Sequence, residues 1–384
     1  MRRLVLLLSA IVAVDIMFFT ALAPLLPHFT SRYGLSKGGA GLLSGMYAAG
    51  VLAASLPGGV AASRLGPRQA ALGGVALTSL ASLGFALAGD AWTLAAARLL
   101  QGIGSAFSWA GAITWLVAAA PRERRGELIG TTMGAAVFGA LLGPVLGALA
   151  SVAGVRATFL GLSVLGLALL LWVATTPGVD PHPQSLSALR RTDAELLGGL
   201  WLLVLPALLF GVLVVLVPLK LHADGWGGVA IGAVFLGTAT IELALNPLLG
   251  RFTDRRGRVA PVRLALIGSI VVSLALAWAD EAGLVAVLVL LAGLAYGAFY
   301  TPGMALISDA ADRRGIALGL AFGVMNGAWA AGNVVGPVLG GALAEAAGDA
   351  LPYLLLAVLC LLTLLATIPA APAYFQPRSR PRSS

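Results

Sequence analysis

The stretches GVAASRLGPR, at residues 59–68, and GRFTDRRGRV, at residues 250–259, are two versions of one short pattern rich in glycine and arginine. Two more pairs recur at nearly the same separation: RRGELIG (124–130) with RRGIALG (313–319), and GPVLG (143–147) with GPVLG (336–340). Three matches separated by about half the chain indicate an internal duplication.

The composition predicts that both copies lie in lipid. Of the 384 residues, 59% are hydrophobic and 10% are charged, and the mean hydropathy is +0.96. Soluble domains carry about 25% charged residues, so a soluble chain of this composition could not cover its surface. Twelve apolar runs have the length, about 20 residues, that crosses a bilayer core. They lie near 4–30, 38–62, 69–89, 92–119, 127–152, 155–176, 196–220, 227–250, 261–279, 283–308, 316–345 and 350–372.

These runs predict an all-α integral membrane protein, because a backbone in lipid must satisfy its own hydrogen bonds. Twelve transmembrane helices and one duplication give two six-helix bundles (6+6). Because the first copy crosses the membrane six times, the second copy starts on the same side and has the same orientation. A pseudo-two-fold axis should therefore run along the membrane normal. We predict an N-terminal bundle at 1–176, a cytoplasmic linker rich in proline and serine at 177–195, and a C-terminal bundle with a short basic tail at 196–384.

The basic residues predict the orientation. If the N-terminus is cytoplasmic, nineteen of the 24 Lys and Arg residues fall in cytoplasmic loops and tails, and four fall in outer loops. This positive-inside bias predicts a multi-pass protein of the cell (cytoplasmic) membrane with both termini cytoplasmic. It also accounts for the net charge of +8 without a nucleic-acid partner. The first run ends in small residues like a signal peptide, but Asp15 interrupts it and Pro24 follows the possible cut, so we expect it to be retained.

Three charged residues stand deep inside the predicted spans, away from their ends: Asp15, Arg98 and Glu242. A carboxylate at the centre of a membrane helix costs about 2.5–3.5 kcal/mol, so such residues usually face a protein interior or a water-filled path. Asp15 either makes a structural hydrogen bond or ion pair, or binds a proton or a cationic substrate; we favour the second interpretation. Glu242 is interpreted as a second such carboxylate across a cavity, with a hydrogen bond between helices as the alternative.

Arg98 either extends to the outer surface or belongs to an inward-facing polar stripe. Gln101, Ser105 and Ser108 follow it at helical spacing, which favours the stripe and a role in proton coupling beside Asp15. The third, sixth, ninth and twelfth spans contain no charged residue or histidine away from their ends, where Arg156 and Arg263 stand, as expected of outer, lipid-facing helices.

Aromatic, amide and hydroxyl side chains near these charges predict an apolar substrate cavity with few hydrogen bonds. Thr238 and Asn246 flank Glu242 at four-residue spacing. The predicted cavity members are Phe18, Phe19, Tyr47, Gln101, Ser105, Trp109, Phe235, Thr238, Asn246, Tyr296, Tyr300, Phe322, Met325, Asn326 and Trp329.

The repeated loop resembles a signature of the major facilitator superfamily, and the resemblance covers essentially the whole chain. In that family the loop forms a charge cluster thought to latch one conformation, with glycines that let helices close. Ser63 stands where the family has aspartate. The corresponding residues are Gly59, Ser63, Arg64, Gly66 and Arg68 in the first copy, and Gly250, Asp254, Arg255, Gly257 and Arg258 in the second.

Two further motifs extend the resemblance. RLLQGIGSA at 98–106 resembles the fourth-helix pattern of the family, and GALLGPVLG at 139–147 resembles the fifth-helix pattern of its drug:proton antiporters. The resemblance implies proton-coupled efflux of lipophilic organic cations or drugs by alternating access. The helix-packing motif comprises Gly139, Gly143, Pro144, Gly147, Gly336, Pro337 and Gly340.

Other functions stay open. A proton-linked transporter of sugars, amino acids or other metabolites would share the fold, and a non-transporting sensor or membrane-embedded enzyme is a more remote alternative. We expect no enzyme, because the chain has no catalytic set and no phosphate-binding loop. We expect no cofactor, and no metal site because the three histidines and Cys360 are far apart. The expected partners are a small-molecule substrate, protons and the lipid bilayer, with a monomer as the functional unit.

Overall fold

The computed structural model describes residues 1–121, 124–180, 194–314 and 318–367; the side chains at 194, 246, 247, 254, 256, 318 and 319 lie outside this description. Within these ranges all regular structure is helical. The first bundle consists of α1 (Arg2–Thr20), a short 3-10 turn (Ala23–Leu25), α2 (Leu26–Tyr33), α3 (Lys37–Arg64), α4 (Pro67–Leu87), α5 (Ala91–Ala119), α6 (Arg125–Ala153) and α7 (Val155–Thr175). The second consists of α8 (Ala194–Ala223), α9 (Gly228–Arg256), α10 (Val259–Ala277), α11 (Ala282–Gly297), α12 (Tyr300–Arg314), α13 (Leu318–Ala347) and α14 (Ala350–Thr367).

The helices reproduce the predicted spans. Eleven stretches of the described residues are long and apolar enough to cross a bilayer, and two of these combine α1 with α2 and α11 with α12. A further long helix, the 30-residue α13, brings the number of spans to twelve. The predicted all-α fold of twelve spans is therefore confirmed. The domain boundaries stay a prediction, because 181–193 of the linker and the tail from 368 onward lie outside the described residues.

The first and tenth spans are each interrupted just before a proline. α1 ends at Thr20 ahead of Pro24, and α11 ends at Gly297 ahead of Tyr300 and Pro302. Proline has no N–H, and its ring clashes with the carbonyl four residues earlier, which disfavours a regular helix at both positions. Both interruptions leave backbone groups without their helical partners.

The loops divide the molecule into two faces. We call the one with the α3–α4, α5–α6 and α9–α10 loops the basic face, and the other, with the α2–α3, α4–α5 and α13–α14 loops, the distal face. Between the faces large apolar side chains are exposed, such as Leu80 at 67% and Val164 at 68%. An exposed apolar belt of this kind fits contact with lipid.

The two bundles meet at two crossings that the duplication relates: α3 with α13, and α6 with α9. At each crossing the carbonyl of the GPVLG proline faces a glycine of the other bundle, Pro337 facing Gly41 and Pro144 facing Gly232. A Cβ at either glycine would collide with that carbonyl, so close approach requires glycine there. Both glycines lie in the first two turns of their helices, so the crossings are near the distal face.

The helix-packing motif also brings helices together within each bundle. A Cβ at Gly139 or Gly143 would enter α1, and one at Gly147 would enter the turn after it. In the second copy, a Cβ at Gly336 or Gly340 would enter α8. The motif thus fixes the fifth helix of each bundle against the first.

Glycines of the repeated loop differ in their surroundings. Gly66 and Gly257 adopt positive φ angles of 103° and 74° in equivalent turns, a conformation that glycine permits without strain. Gly59 and Gly250 have open space where a Cβ would stand. The helix-closing role that the resemblance implies for these two is therefore not seen in this conformation.

Three polar residues of the loop, Ser63, Arg68 and Arg258, bind partners within their own bundles. Ser63 donates a hydrogen bond to a carbonyl of its own helix, and Arg68 donates to carbonyls at the end of α7. Arg258 forms an ion pair with Asp309 of α12, which ties the start of α10 to that helix. Arg64 and Arg255 are exposed, and the side chain of Asp254 lies outside the described residues.

Candidate functional site

A cavity of about 510 Å³ lies between the two bundles. Its described walls come mainly from α1, α3, α5 and α6 of the first bundle and from α8, α9, α12 and α13 of the second. None of the described wall residues belongs to α4, α7, α10 or α14, the spans without embedded charge. Most of the wall is apolar or aromatic, and its charged members among the described residues are Asp15, Arg98 and Glu242.

Asp15 on α1 is held by donors from α5. Its side chain is 3% exposed, and its Oδ2 accepts hydrogen bonds from the Ser105 hydroxyl and the Trp109 indole N–H, each at 2.7 Å. Ser105 and Trp109 are four residues apart, so one face of α5 presents both donors. The second oxygen, Oδ1, is buried without a partner among the described residues. The carboxylate therefore has one satisfied oxygen and one that can hold a proton.

Arg98 caps the interrupted end of α1. The side chain is 1% exposed and donates to the carbonyls of Phe18 at 2.9 Å and Phe19 at 3.4 Å. These carbonyls belong to the last turn of α1, where a helix leaves acceptors without backbone partners. The guanidinium also lies over the Tyr47 ring, 4.9 Å from its centroid. It is buried rather than extended to the surface, and among the described residues no ion pair joins it to Asp15.

Glu242 lines the cavity from α9, in the second bundle. Its Cγ and Cδ lie against Gly297, where an added Cβ would come within 2.8 and 2.9 Å of them. The absence of a side chain at this interruption of the tenth span leaves the space that Glu242 fills. Tyr300 lies close enough to interact electrostatically with Glu242. No described group donates a hydrogen bond to the Glu242 carboxylate.

An aromatic path crosses the cavity from one bundle to the other. The Phe19 ring lies 5.3 Å from Tyr47 and 4.9 Å, edge-on, from Trp329 of α13. Tyr300 of α12 lines the cavity from the same bundle as Trp329. These rings present π faces between the walls that carry the two carboxylates, which is a suitable surface for a cation.

Most of the residues predicted to couple protons or bind substrate lie around this cavity. The members that line it are Asp15, Phe19, Tyr47, Arg98, Ser105, Trp109, Phe235, Thr238, Glu242, Tyr300, Phe322, Met325, Asn326 and Trp329.

Three predicted members lie elsewhere. Phe18 and Tyr296 are packed in the cores of their bundles. Gln101 is fully buried and donates to the hydroxyl of Ser82, so it braces α5 against α4. The side chain of Asn246 lies outside the described residues.

Other wall residues were not identified from the sequence. Apolar residues of α6 and α8 also line the cavity: Met133, Val137, Leu203 and Phe210. Their apolar character is the same as that of lipid-facing residues. Only the rotation of each helix distinguishes the two. Ser55 of α3 is polar within a span, and that signal was present in the sequence.

Two repeated helical bundles around a central cavity with embedded charges define a multi-pass membrane transporter. The sequence profile of the Major Facilitator Superfamily matches residues 8–321 and 201–384. The chain therefore belongs to the Major Facilitator Superfamily.

Similarity to individual proteins is more distant. The MFS-type transporter ppzB of Metarhizium rileyi (strain RCEF 4871) is 33% identical over 120 residues, which are 31% of this chain and only 23% of that protein. A crystal structure of a bacterial homolog to the human lysosomal transporter Spinster, inward-facing and unoccupied, covers 98% of both chains with a TM-score of 0.79 and 15% identity. A D-xylose-proton symporter covers 97% of both chains with a TM-score of 0.75 and 17% identity. At these identities the structural matches establish the fold alone.

Proposed function

We propose that this protein is a secondary active transporter that exports lipophilic organic cations in exchange for protons. The observation that carries the proposal is the presence of two carboxylates from different bundles, Asp15 and Glu242, in one largely apolar cavity. A carboxylate in such surroundings is stabilised by a bound proton or a cation. The aromatic path between the two walls adds attraction for a cation.

Alternating access provides the transport cycle. The bundles meet near the distal face through the α3–α13 and α6–α9 crossings, and rocking of one bundle against the other would part these crossings. A proton from the distal side then neutralises a cavity carboxylate, and the cation leaves. Loss of the proton on the basic side restores affinity for the next cation. Competition between proton and cation couples the two fluxes without direct contact between them.

The orientation belongs to the same proposal. The excess of arginine and lysine on the basic face favours a cytoplasmic location for that face, with both termini inside the cell. The cycle then moves substrate from the cytoplasm to the exterior across the cell membrane, with one chain as the working unit.

Proton release from proteoliposomes tests the proposal. The purified protein is reconstituted with an imposed pH gradient, and tetraphenylphosphonium or another lipophilic cation is added to the wild type and to Asp15→Asn and Glu242→Gln. We expect release by the wild type and its loss in at least one of the two variants. Glu281→Gln, which removes an exposed carboxylate from the distal face, is the matched control and should behave as the wild type.

Two results would reject the proposal. If no lipophilic cation moves protons but a sugar or an amino acid does, the protein is a metabolite transporter with the same fold. If neither class of compound moves protons, coupling to protons is excluded.

A further inference from the structure

We infer that the two cavity carboxylates have separate tasks: Glu242 binds the cationic substrate and Asp15 carries the proton. This assignment rests on the proposed function and goes beyond it, because proton-coupled efflux can operate with a single shared carboxylate. It follows from a difference between the surroundings of the two side chains.

Asp15 is enclosed in a way that suits a proton and not a bulky ligand. Its Oδ2 is engaged by the Ser105 hydroxyl and the Trp109 indole, and the side chain is 3% exposed. Its Oδ1 is unpartnered but also buried. A proton needs only the lone pair of that oxygen, whereas a bulky organic cation needs an open approach that a buried oxygen does not offer.

Glu242 has the opposite surroundings. No described group donates to its carboxylate, and the side chain extends along Gly297 into the cavity wall. Phe235, Tyr300 and Trp329 line the same cavity from the second bundle. An anion without a donor, beside aromatic faces in a region of low dielectric constant, gains most from a cation.

The neighbouring titratable groups reinforce this difference. Asp15 is faced by Tyr47 from α3 and by Arg98 from α5, and on the α6 side Gly139 and Gly143 lie against α1. Glu242 is faced by Tyr300 from α12 and by no charged group among the described residues. The positive charge of Arg98 is thus in the bundle of Asp15, and the charge of Glu242 is left without a counterion.

The two tasks remain coupled through the cavity. While Asp15 is ionised, its charge adds to the attraction that holds a cation in the apolar space between the bundles. When Asp15 takes up a proton, that contribution disappears. Proton binding at one wall therefore weakens cation binding at the other, without exchange of ligands on a single carboxylate.

Gly297 allows a test that leaves every charge in place. A methyl group there would press on Cγ and Cδ of Glu242 and move the carboxylate. Gly283, on the same helix, would place a methyl group only in ordinary contact with its neighbour. Gly283→Ala is therefore the matched control for Gly297→Ala.

Equilibrium binding of tetraphenylphosphonium to the full chain in lipid nanodiscs, across a pH series from weakly alkaline to acidic, tests the assignment. We expect wild-type affinity to fall with pH. Glu242→Gln should lower the affinity by about tenfold or more at every pH and keep the pH dependence. Asp15→Asn should bind with the acid-limit affinity of the wild type at every pH. Gly297→Ala should weaken binding, and Gly283→Ala should not.

The contrary outcomes are distinct. Loss of the pH dependence in Glu242→Gln, with loss of binding in Asp15→Asn, would reverse the assignment and overturn it. Loss of both cation binding and its pH dependence in each variant would mean that the two carboxylates form one shared site. That result would also overturn the assignment of separate tasks, but it would not contradict the proposed efflux function. Absence of tetraphenylphosphonium binding by the wild type would instead contradict the proposed function itself. Because both neutral variants keep the size of the native side chain, thermal unfolding of each should match the wild type closely enough for the comparison.

Discussion

Lys37, the first residue of α3, and Asp349, in the turn between α13 and α14, form an ion pair that joins the two bundles on the distal face. Beside it, the backbone N–H of Gly38 donates to the carboxylate of Glu345 at 2.9 Å. We call these four residues the distal latch. It lies one turn from Gly41, the glycine that faces the carbonyl of the α13 proline. The ion pair and the close contact between the helices therefore hold the two bundles together at the same place.

Breaking the latch should favour separation of the bundles at the distal face. Lys37→Gln removes the cation of an ion pair that is partly exposed, so the expected shift in population is modest. Spin labels at Gly89 and Asp280, in distal loops of different bundles, should report more of the longer distance by pulsed electron resonance. Lys220→Gln is the control, because its partner Asp224 is in the same bundle. An unchanged distance distribution in the Lys37 variant would show that the latch does not stabilise closure.

Gly41→Ala should have a larger effect at the same crossing. The added methyl group collides with the Pro337 carbonyl, and a backbone group in a helix cannot move aside as a side chain can. We expect the distal face to remain partly open and cation-driven proton release to be lost. Gly73→Ala on α4, where a Cβ meets open space, should leave both measurements unchanged. Equal behaviour of the two variants would contradict the steric account.

Arg98 should be required for stability as well as for any role in transport. Arg98→Gln removes charge-assisted hydrogen bonds to the Phe18 and Phe19 carbonyls, at a cost on the order of 3 kcal/mol. Arg98→Lys should also destabilise, because an ammonium group lacks the planar fork that reaches two carbonyls. Thermal unfolding in detergent measures both losses against Arg156→Gln, an exposed arginine at the start of α7. A melting temperature in Arg98→Gln equal to that of the control would refute the capping role.

Asp90 should make a pH-dependent contribution at the start of α5. It accepts hydrogen bonds from the hydroxyl and backbone N–H of Thr93 and from the N–H of Trp92, and these bonds lower the pKa of its carboxyl group, the Thr93 hydroxyl most. Because the folded pKa is lowered, the stabilisation is present above the ordinary carboxyl pKa and is lost as pH falls through the folded value. Asp90→Ala should therefore lower the melting temperature at neutral pH, and by less in acid.

Glu281 provides the control for that helix cap. It precedes α11 in the same position but makes no side-chain hydrogen bond to the helix start. Glu281→Gln should leave the melting temperature unchanged at both pH values. If the effect of Asp90→Ala were the same at neutral and acid pH, the ionised cap would not be its cause.

The sequence by itself determined the twelve spans, the duplication and the three embedded charges. Hydropathy is read in windows no longer than one helix, and the repeated loops are compared letter by letter, so neither needs a fold. The cost of placing Asp15, Arg98 or Glu242 in lipid is also independent of the fold, which is why these residues stood out as candidates for a cavity.

Only the tertiary structure decided what each candidate contacts. Arg98 binds carbonyls at the end of α1 instead of a carboxylate, and Lys37 meets a partner 312 positions away. Met133 joins the cavity wall although its sequence context is that of a lipid-facing residue. The physical reason is that a membrane helix is apolar nearly all round, so its sequence does not specify its rotation. That rotation is set where glycines such as Gly41 and Gly139 let another helix approach.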